Sequence, residues 1–149
     1  VRAVVQRVSE AAVEVDGREI ARIGRGFLVL AGFGRDDDDA RVDWMARKVA
    51  SLRIFEDESG RMACGLESVE GEILVVSQFT LYGDVRKGAR PGFDASAPPE
   101  SARGHYERFV SALRAVHARV STGDFRAHMR VSLVNDGPVT ILIDNDSPR

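Results

Sequence analysis

VRAVVQRVSEAAVEVDGREIARIGRGFLVLAGFG, residues 1–34, is the stretch whose pattern decides the fold. Apolar and polar residues alternate roughly over 2–8 and again over 11–15, the period of a half-buried strand. Asp16-Gly17 then supplies the residues of a type I′ turn, and residues 18–23 return as the second arm of a hairpin. Gly24 and Gly26 close that arm, and 27–31 follow as an apolar run short enough for a buried strand. The chain therefore opens as a β-meander.

Beyond it, the acidic block 36–39 sits where negative charge suits a helix N-terminus. Val42, Met45, Ala46, Val49 and Leu52 recur at helical spacing and predict one buried stripe. Residues 53–55 read as a short strand, 56–60 as a turn, and 73–76 as a second buried strand leading into Ser77-Gln78-Phe79-Thr80-Leu81. Residues 84–97, rich in glycine and without helical period, read as a long loop. Pro98-Pro99-Glu100 suits a helix start, and Ala102, Tyr106, Phe109, Val110, Leu113 and Val116 give that helix its apolar face. Strands are expected at 118–121, 130–134 and 139–143, with Asn135-Asp136-Gly137-Pro138 separating the last two.

Many strands with two separately placed helices predict an α+β fold with antiparallel connections dominating, in one domain over 1–149. No strand–helix–strand rhythm is sustained. The glycines at 24, 26, 32 and 34 lack both the spacing and the helix of a dinucleotide-binding fingerprint.

The chain has 149 residues, 44% hydrophobic and 30% charged, which is ordinary for a globular protein and outside the disordered class. With Lys plus Arg at 21 against Asp plus Glu at 23, the net charge of −2 gives no support to wrapping nucleic acid by bulk electrostatics. Any such contact has to be local, and Arg86, Lys87 and Arg90 offer one candidate; a solvated loop explains the same residues. Cys64 is the only cysteine, so neither an intrachain disulfide nor a thiolate cluster is available, and a small buried hydrophobe is its expected role. The opening residues lack a signal-peptide core and no apolar run reaches the length of a membrane span, so a cytoplasmic protein is expected.

Common hydrolytic motifs are missing. His105, His117 and His128 form no local ligand pair, no Walker lysine is present, and no serine sits in G-x-S-x-G. Polar residues emerging from a buried strand at Ser77 to Thr80 need partners, which either a site or simple turn hydrogen bonding supplies. Asn135 to Pro138 is likewise explained by a turn. A cis Gly137-Pro138 bond there, with its flanking carbonyls pointing the same way, is the alternative, a clamp able to read chirality.

Ser77-Gln78-Phe79-Thr80 and Asn135-Asp136-Gly137-Pro138-Val139-Thr140, at this separation, closely resemble the two signature motifs of the D-aminoacyl-tRNA deacylase family. Val5-Gln6-Arg7-Val8, Leu52-Arg53-Ile54-Phe55, Arg86-Lys87-Gly88 through Arg90-Pro91, Ala97-Pro98-Pro99-Glu100 and Thr122-Gly123 extend the likeness over essentially the whole chain. The resemblance implies a homodimer with a barrel-like, mainly antiparallel β core and two main helices outside it. It also implies hydrolysis of the ester between a D-amino acid and the terminal adenosine of tRNA, with L-esters rejected and without metal or cofactor.

By the same resemblance Gly137-Pro138 carries a cis peptide that reaches across the interface into the partner's site and rejects the L-arrangement by clash, while Arg7 holds the loop. Main-chain N–H groups of Ser77, Gln78, Phe79 and Thr80 form the catalytic wall. Thr80 is a possible nucleophile, but the sequence offers it no evident base, which favours a water assisted by the ribose 2′-OH. Phe125 and Met129 match adenosine-pocket positions, though core packing suits both; Arg86, Lys87 and Arg90 would guide the tRNA backbone. Departures from the family's usual residues fall at Ala63, Gly83, Gly92 and Arg126, the last at the rim of the expected pocket, and Val1 stands where an initiator methionine is usual, so the numbering is expected to begin at the start of the chain. A site gated by Cα chirality should also admit glycine misattached to tRNA. A non-catalytic tRNA-binding or structural β protein, with both motifs merely turns, is the alternative.

Overall fold

The computed structural model describes residues 1–146. Strand β1, Arg2–Val15, is continuous where the sequence pattern suggested two strands. The break in alternation at the exposed Ser9 and Glu10 is a register shift between Val8 and Glu10 in its pairing with the last strand. Such a bulge resets which side chains face inward without ending the strand. The first half of β1 pairs with β3, Gly26–Gly32, and the second half with β2, Arg18–Ile23, both antiparallel.

Helix α1, Asp39–Ala50, starts as its acids predict: Asp38 is the N-cap, its carboxylate accepting from the Arg41 N–H at 2.9 Å. Val42, Met45, Ala46 and Val49 are buried along one face, a burial worth roughly 1.5–3 kcal/mol for each large side chain. A small hairpin of β4, Phe55–Glu56, and β5, Met62–Cys64, follows. The sequence reading missed β5, whose three residues are too few to show a period. Cys64 is half-buried and packs at the edge of the core, short of the full burial expected.

Strand β6, Glu72–Ser77, pairs in parallel with β3, and β7, Val120–Thr122, in parallel with β6. Between β6 and β7 lies α2, Pro99–Val116, with Pro98 at its N-cap. The sheet order is β2-β1-β3-β6-β7, with β8, Arg130–Asp144, on the other edge of β1. The α+β architecture is thus as expected, with antiparallel pairings around β1 and a parallel flank where chain excursions containing the helices bring β6 and β7 alongside. Because β2 also approaches β6 and β7, the sheet curls until it is nearly closed.

The continuous apolar runs reflect burial on both faces of this curled sheet. On β3 and β6, Phe27, Val29, Ala31, Ile73 and Val75 face the core under the helices, while Leu28, Leu74 and Val76 join Val8, Ala11, Val13 and Ile23 inside the curl. The approach of β3 to β6 is close enough to require glycine at its first rung. Gly26 has φ +156°, and a Cβ there would lie 1.8 Å from the Glu72 carbonyl oxygen.

Strand β8 corrects the expectation of two strands divided at 135–138. Gln6 pairs with Thr140 and Val8 with Asn135, so residues 136–139 bulge out opposite Arg7 alone. Polar turn formers here interrupt the ladder without reversing the chain.

Candidate active site

Where β6 ends, Gln78 N–H still donates to the Ala31 carbonyl at 2.8 Å, and the chain then tightens into a 3₁₀ turn, Phe79–Tyr82. N–H groups at the start of such a turn have no acceptor within it, which leaves main-chain donors available to a ligand. Ser77, Gln78 and Phe79 line a cavity of about 710 Å³. Phe33 and Arg35 after β3, Phe93, Ser96 and Ala97 in the long loop, Pro98, Pro99 and Ala102 at the start of α2, and residues 125–129 with Val131 also line it. A cavity of this size, apolar with a few polar groups, is typical of a small-molecule or nucleotide site.

Thr80 is exposed and is absent from that lining. Its Oγ1 accepts a hydrogen bond from Gln78 Nε2, and among the described residues no histidine or carboxylate is bonded to it. The structure therefore brings Thr80 no base that would turn its hydroxyl into a nucleophile. His128 lines the cavity, whereas the His117 ring is bonded to the Gly71 carbonyl at 2.8 Å, away from it.

Phe125 and Met129 both line the cavity, so the expected pocket positions are brought together with Ser77, Gln78 and Phe79. Phe125 is held by Tyr106, stacked at 5.5 Å between centroids, and by the Arg103 guanidinium 4.7 Å from its ring centre. The Tyr106 hydroxyl donates to the Val75 carbonyl at 3.2 Å, and burial pushes its pKa up to about 12.

Arg86, Lys87 and Arg90 are exposed and do not line the cavity. Arg86 is already paired, its Nε and Nη2 donating to the two Asp84 oxygens at 2.9 and 2.6 Å. That side-chain hydrogen bond holds Asp84 down at a pKa of about 2.

The second motif lies elsewhere. Asp136, Gly137 and Pro138 are exposed on the β8 bulge and also do not line the cavity of their own chain; the Gly137-Pro138 peptide is cis. The bulge is laced from within by Asn135, whose Oδ1 accepts from Val139 N–H at 2.7 Å and whose Nδ2 reaches Gln6 Oε1 and Thr140 Oγ1, both at 3.1 Å. Arg7, only 7% exposed, pins it from below: Nε donates to the Asp136 carbonyl and Nη1 to the Ile54 carbonyl, each at 2.8 Å. Gly137 has φ +148°, and a Cβ there would meet Val139 N at 2.9 Å and Arg7 Nη2 at 3.1 Å. Only glycine suits that position.

A family model described as D-Tyr-tRNA(Tyr) deacylase matches residues 4–144. The chain belongs to the D-aminoacyl-tRNA deacylase family. Its similarity to the D-aminoacyl-tRNA deacylase of Symbiobacterium thermophilum is 58% identity, covering 97% of this chain and 96% of the relative. With the D-aminoacyl-tRNA deacylase of Thermotoga petrophila it shares 57% identity over 97% of each chain. The fold matches a solved c-Myc DNA unwinding element binding protein at a TM-score of 0.93 and 43% identity, covering 99% of this chain and 100% of the other. Sequence reasoning about this deacylase missed Phe33, Arg35, Phe93 and Ser96 as cavity wall. The loop reading of 84–97 gave no signal for them, because Gly34 meets Ser96 through an isolated bridge and Arg35 N–H meets the Ala95 carbonyl only in the folded chain.

Proposed function

We propose that this D-aminoacyl-tRNA ester hydrolase selects chirality with the backbone of a second copy of itself. The observation that carries the proposal is the separation just described: Ser77, Gln78 and Phe79 of the first motif line the cavity, while the pinned Gly137-Pro138 bulge is exposed away from it. In a symmetric dimer each bulge enters the other chain's cavity, as the family resemblance implies. The surface beside it suits burial, since β8 pairs with β1 alone among the described residues and exposes Val134 at 49% and Leu142 at 76%.

In this reading the terminal adenosine lies against Phe125 and Met129, and the ester carbonyl faces main-chain N–H groups of the Ser77 to Thr80 segment other than that of Gln78, which the sheet holds. A water assisted by the ribose 2′-OH adds to the carbonyl carbon, and the tetrahedral intermediate expels the ribose 3′-oxygen, which takes up a proton. The products are a free D-amino acid and tRNA with its 3′-hydroxyl restored. Donors fixed before the reaction stabilise the developing oxyanion, an effect worth about 10²–10³-fold per donor. Thr80, bonded to Gln78, shapes the wall without attacking.

The partner's carbonyls tolerate the D-arrangement at Cα and clash with the L-side chain. Thousandfold discrimination requires about 4 kcal/mol between the two transition states, which one hard clash supplies. Glycine has no side chain to clash, so glycyl-tRNA is also hydrolysed. With charged tRNA as the substrate, the cytoplasm is the working compartment.

The test is multiple-turnover release of amino acid from D-tyrosyl-, L-tyrosyl- and glycyl-tRNA, with and without chelator, alongside the solution mass. Turnover of the D- and glycyl-esters by a dimer supports the reading. Equal turnover of the L-ester overturns chiral gating, and a fully active monomer overturns the shared site. Stoichiometric tRNA binding without turnover favours the non-catalytic alternative.

A further inference from the structure

Residues 124–127 form a turn closed by the Ala127 N–H donating to the Asp124 carbonyl at 3.1 Å. The third residue of that turn is Arg126, with φ +67°. This turn position selects glycine or asparagine, because a Cβ crowds the backbone when φ is positive. A long side chain held against that preference, at the wall of a cavity, points to a function for the side chain.

The charge of the cavity narrows what that function is. Among the described residues lining it, the full charges are Arg35 and Arg126, and no carboxylate accompanies them, in a chain whose net charge is −2. Arg35 Nε is occupied by the Asp94 carbonyl at 2.9 Å. The Arg126 side chain is exposed and has no hydrogen-bonding or ionic partner among the described residues. An arginine with no internal counter-ion, next in sequence to Phe125, is available for an anionic group of the ligand. Its planar fork matches two non-bridging oxygens of a phosphodiester.

We propose that Arg126 binds the phosphodiester on the 5′ side of the terminal adenosine and so registers the tRNA end in the cavity. The inference rests on the tRNA-ester reading above and assigns the phosphate contact nearest the reaction to the Asp124–Ala127 turn. The 86–90 loop is a weaker candidate, since it lies outside the cavity and Asp84 already neutralises Arg86.

Arg126→Gly tests it cleanly, because glycine suits the turn and the variant should melt at or above the temperature of the parent protein. The readout is the ratio of kcat/KM on D-tyrosyl-tRNA to kcat/KM on the D-tyrosyl ester of adenosine, which has no phosphate. The ratio should fall about tenfold, the loss of one charge-assisted phosphate contact. The slope of log kcat/KM against log salt on the tRNA should become shallower by about 0.7, as for one contact to a single strand. Arg126→Lys should restore part of the ratio. An unchanged ratio and slope overturns the proposal, as does an equal loss on both esters, which would make Arg126 a contact to the nucleoside. If the parent protein hydrolyses neither ester, the tRNA-ester reading itself has failed and this inference falls with it.

Discussion

Replacing Arg7 with methionine keeps most of the aliphatic volume but removes both hydrogen bonds to main-chain carbonyls. One of these, from Nε to the Asp136 carbonyl at 2.8 Å, is the side-chain pin between β1 and the bulge that carries Gly137-Pro138. A hydrogen bond from a charged donor contributes about 1.5–3 kcal/mol. Losing the pin should therefore lower the relative population of the correctly placed bulge by roughly 10- to 150-fold. The second bond, to the Ile54 carbonyl, leaves a buried acceptor unpaired, while relief from burying the Arg7 cation offsets part of the cost. The net loss of stability is expected at about 2–4 kcal/mol, or roughly 5–15 °C in Tm for a chain of this size. Thermal melting gives the stability term; hydrolysis of matched D- and L-tyrosyl-tRNA well below the variant's Tm gives the functional one. The kcat/KM for the D-ester should drop, and the D-to-L ratio should drop with it. A variant that loses stability as calculated yet keeps the parent D-to-L ratio refutes the reasoning, because Arg7 would then be a core residue with no hold on selectivity.

Gly26→Ala should destabilise the protein by at least about 3 kcal/mol, since the backbone must leave φ +156° or β3 must separate from β6 to clear the Glu72 carbonyl; denaturant unfolding measures it, and a loss below 1 kcal/mol would contradict the close approach. Tyr106, held up at about 12 by burial against an ordinary 10.0, keeps its proton longer in the folded chain than in the unfolded one. Its contribution to stability is complete below pH 10, diminishes as the unfolded chain ionises first, and is gone once pH passes the folded value. Burial and the bond to Asp146 push Tyr82 higher still, so ultraviolet difference titration should show a tyrosine step near pH 12 that disappears in Tyr106→Phe, and the parent's extra loss of stability between pH 10 and 12 should disappear with it.

Much of this molecule was legible because local patterns report local physics. The hairpin at Asp16-Gly17, the cap at Asp38, the buried stripe of α1 and the paired prolines before α2 each depend on neighbours within one turn or one strand, and each stands where its residues indicate. The two motifs were equally visible, and the family followed from their joint occurrence. Their spatial relation was not. Alternation along 2–15 and 130–144 shows which residues face inward, but only pairing across the sheet shows that each stretch is one strand and that 136–139 bulge opposite Arg7. Parallel pairing of β6 with β3 and β7 likewise depends on chain excursions that no period encodes. The cavity draws on Phe33 and Arg35, on Ser77 to Phe79, on Phe93 and Ser96 to Pro99, and on Phe125 to Met129 with Val131, segments far apart in the chain. The amino-acid order thus determined the elements, the motif chemistry and the family. Convergence of the walls, exclusion of Thr80 and Gly137-Pro138 from the lining, and the unpartnered charge of Arg126 were decided by tertiary structure, because each depends on contacts between residues that the sequence leaves apart.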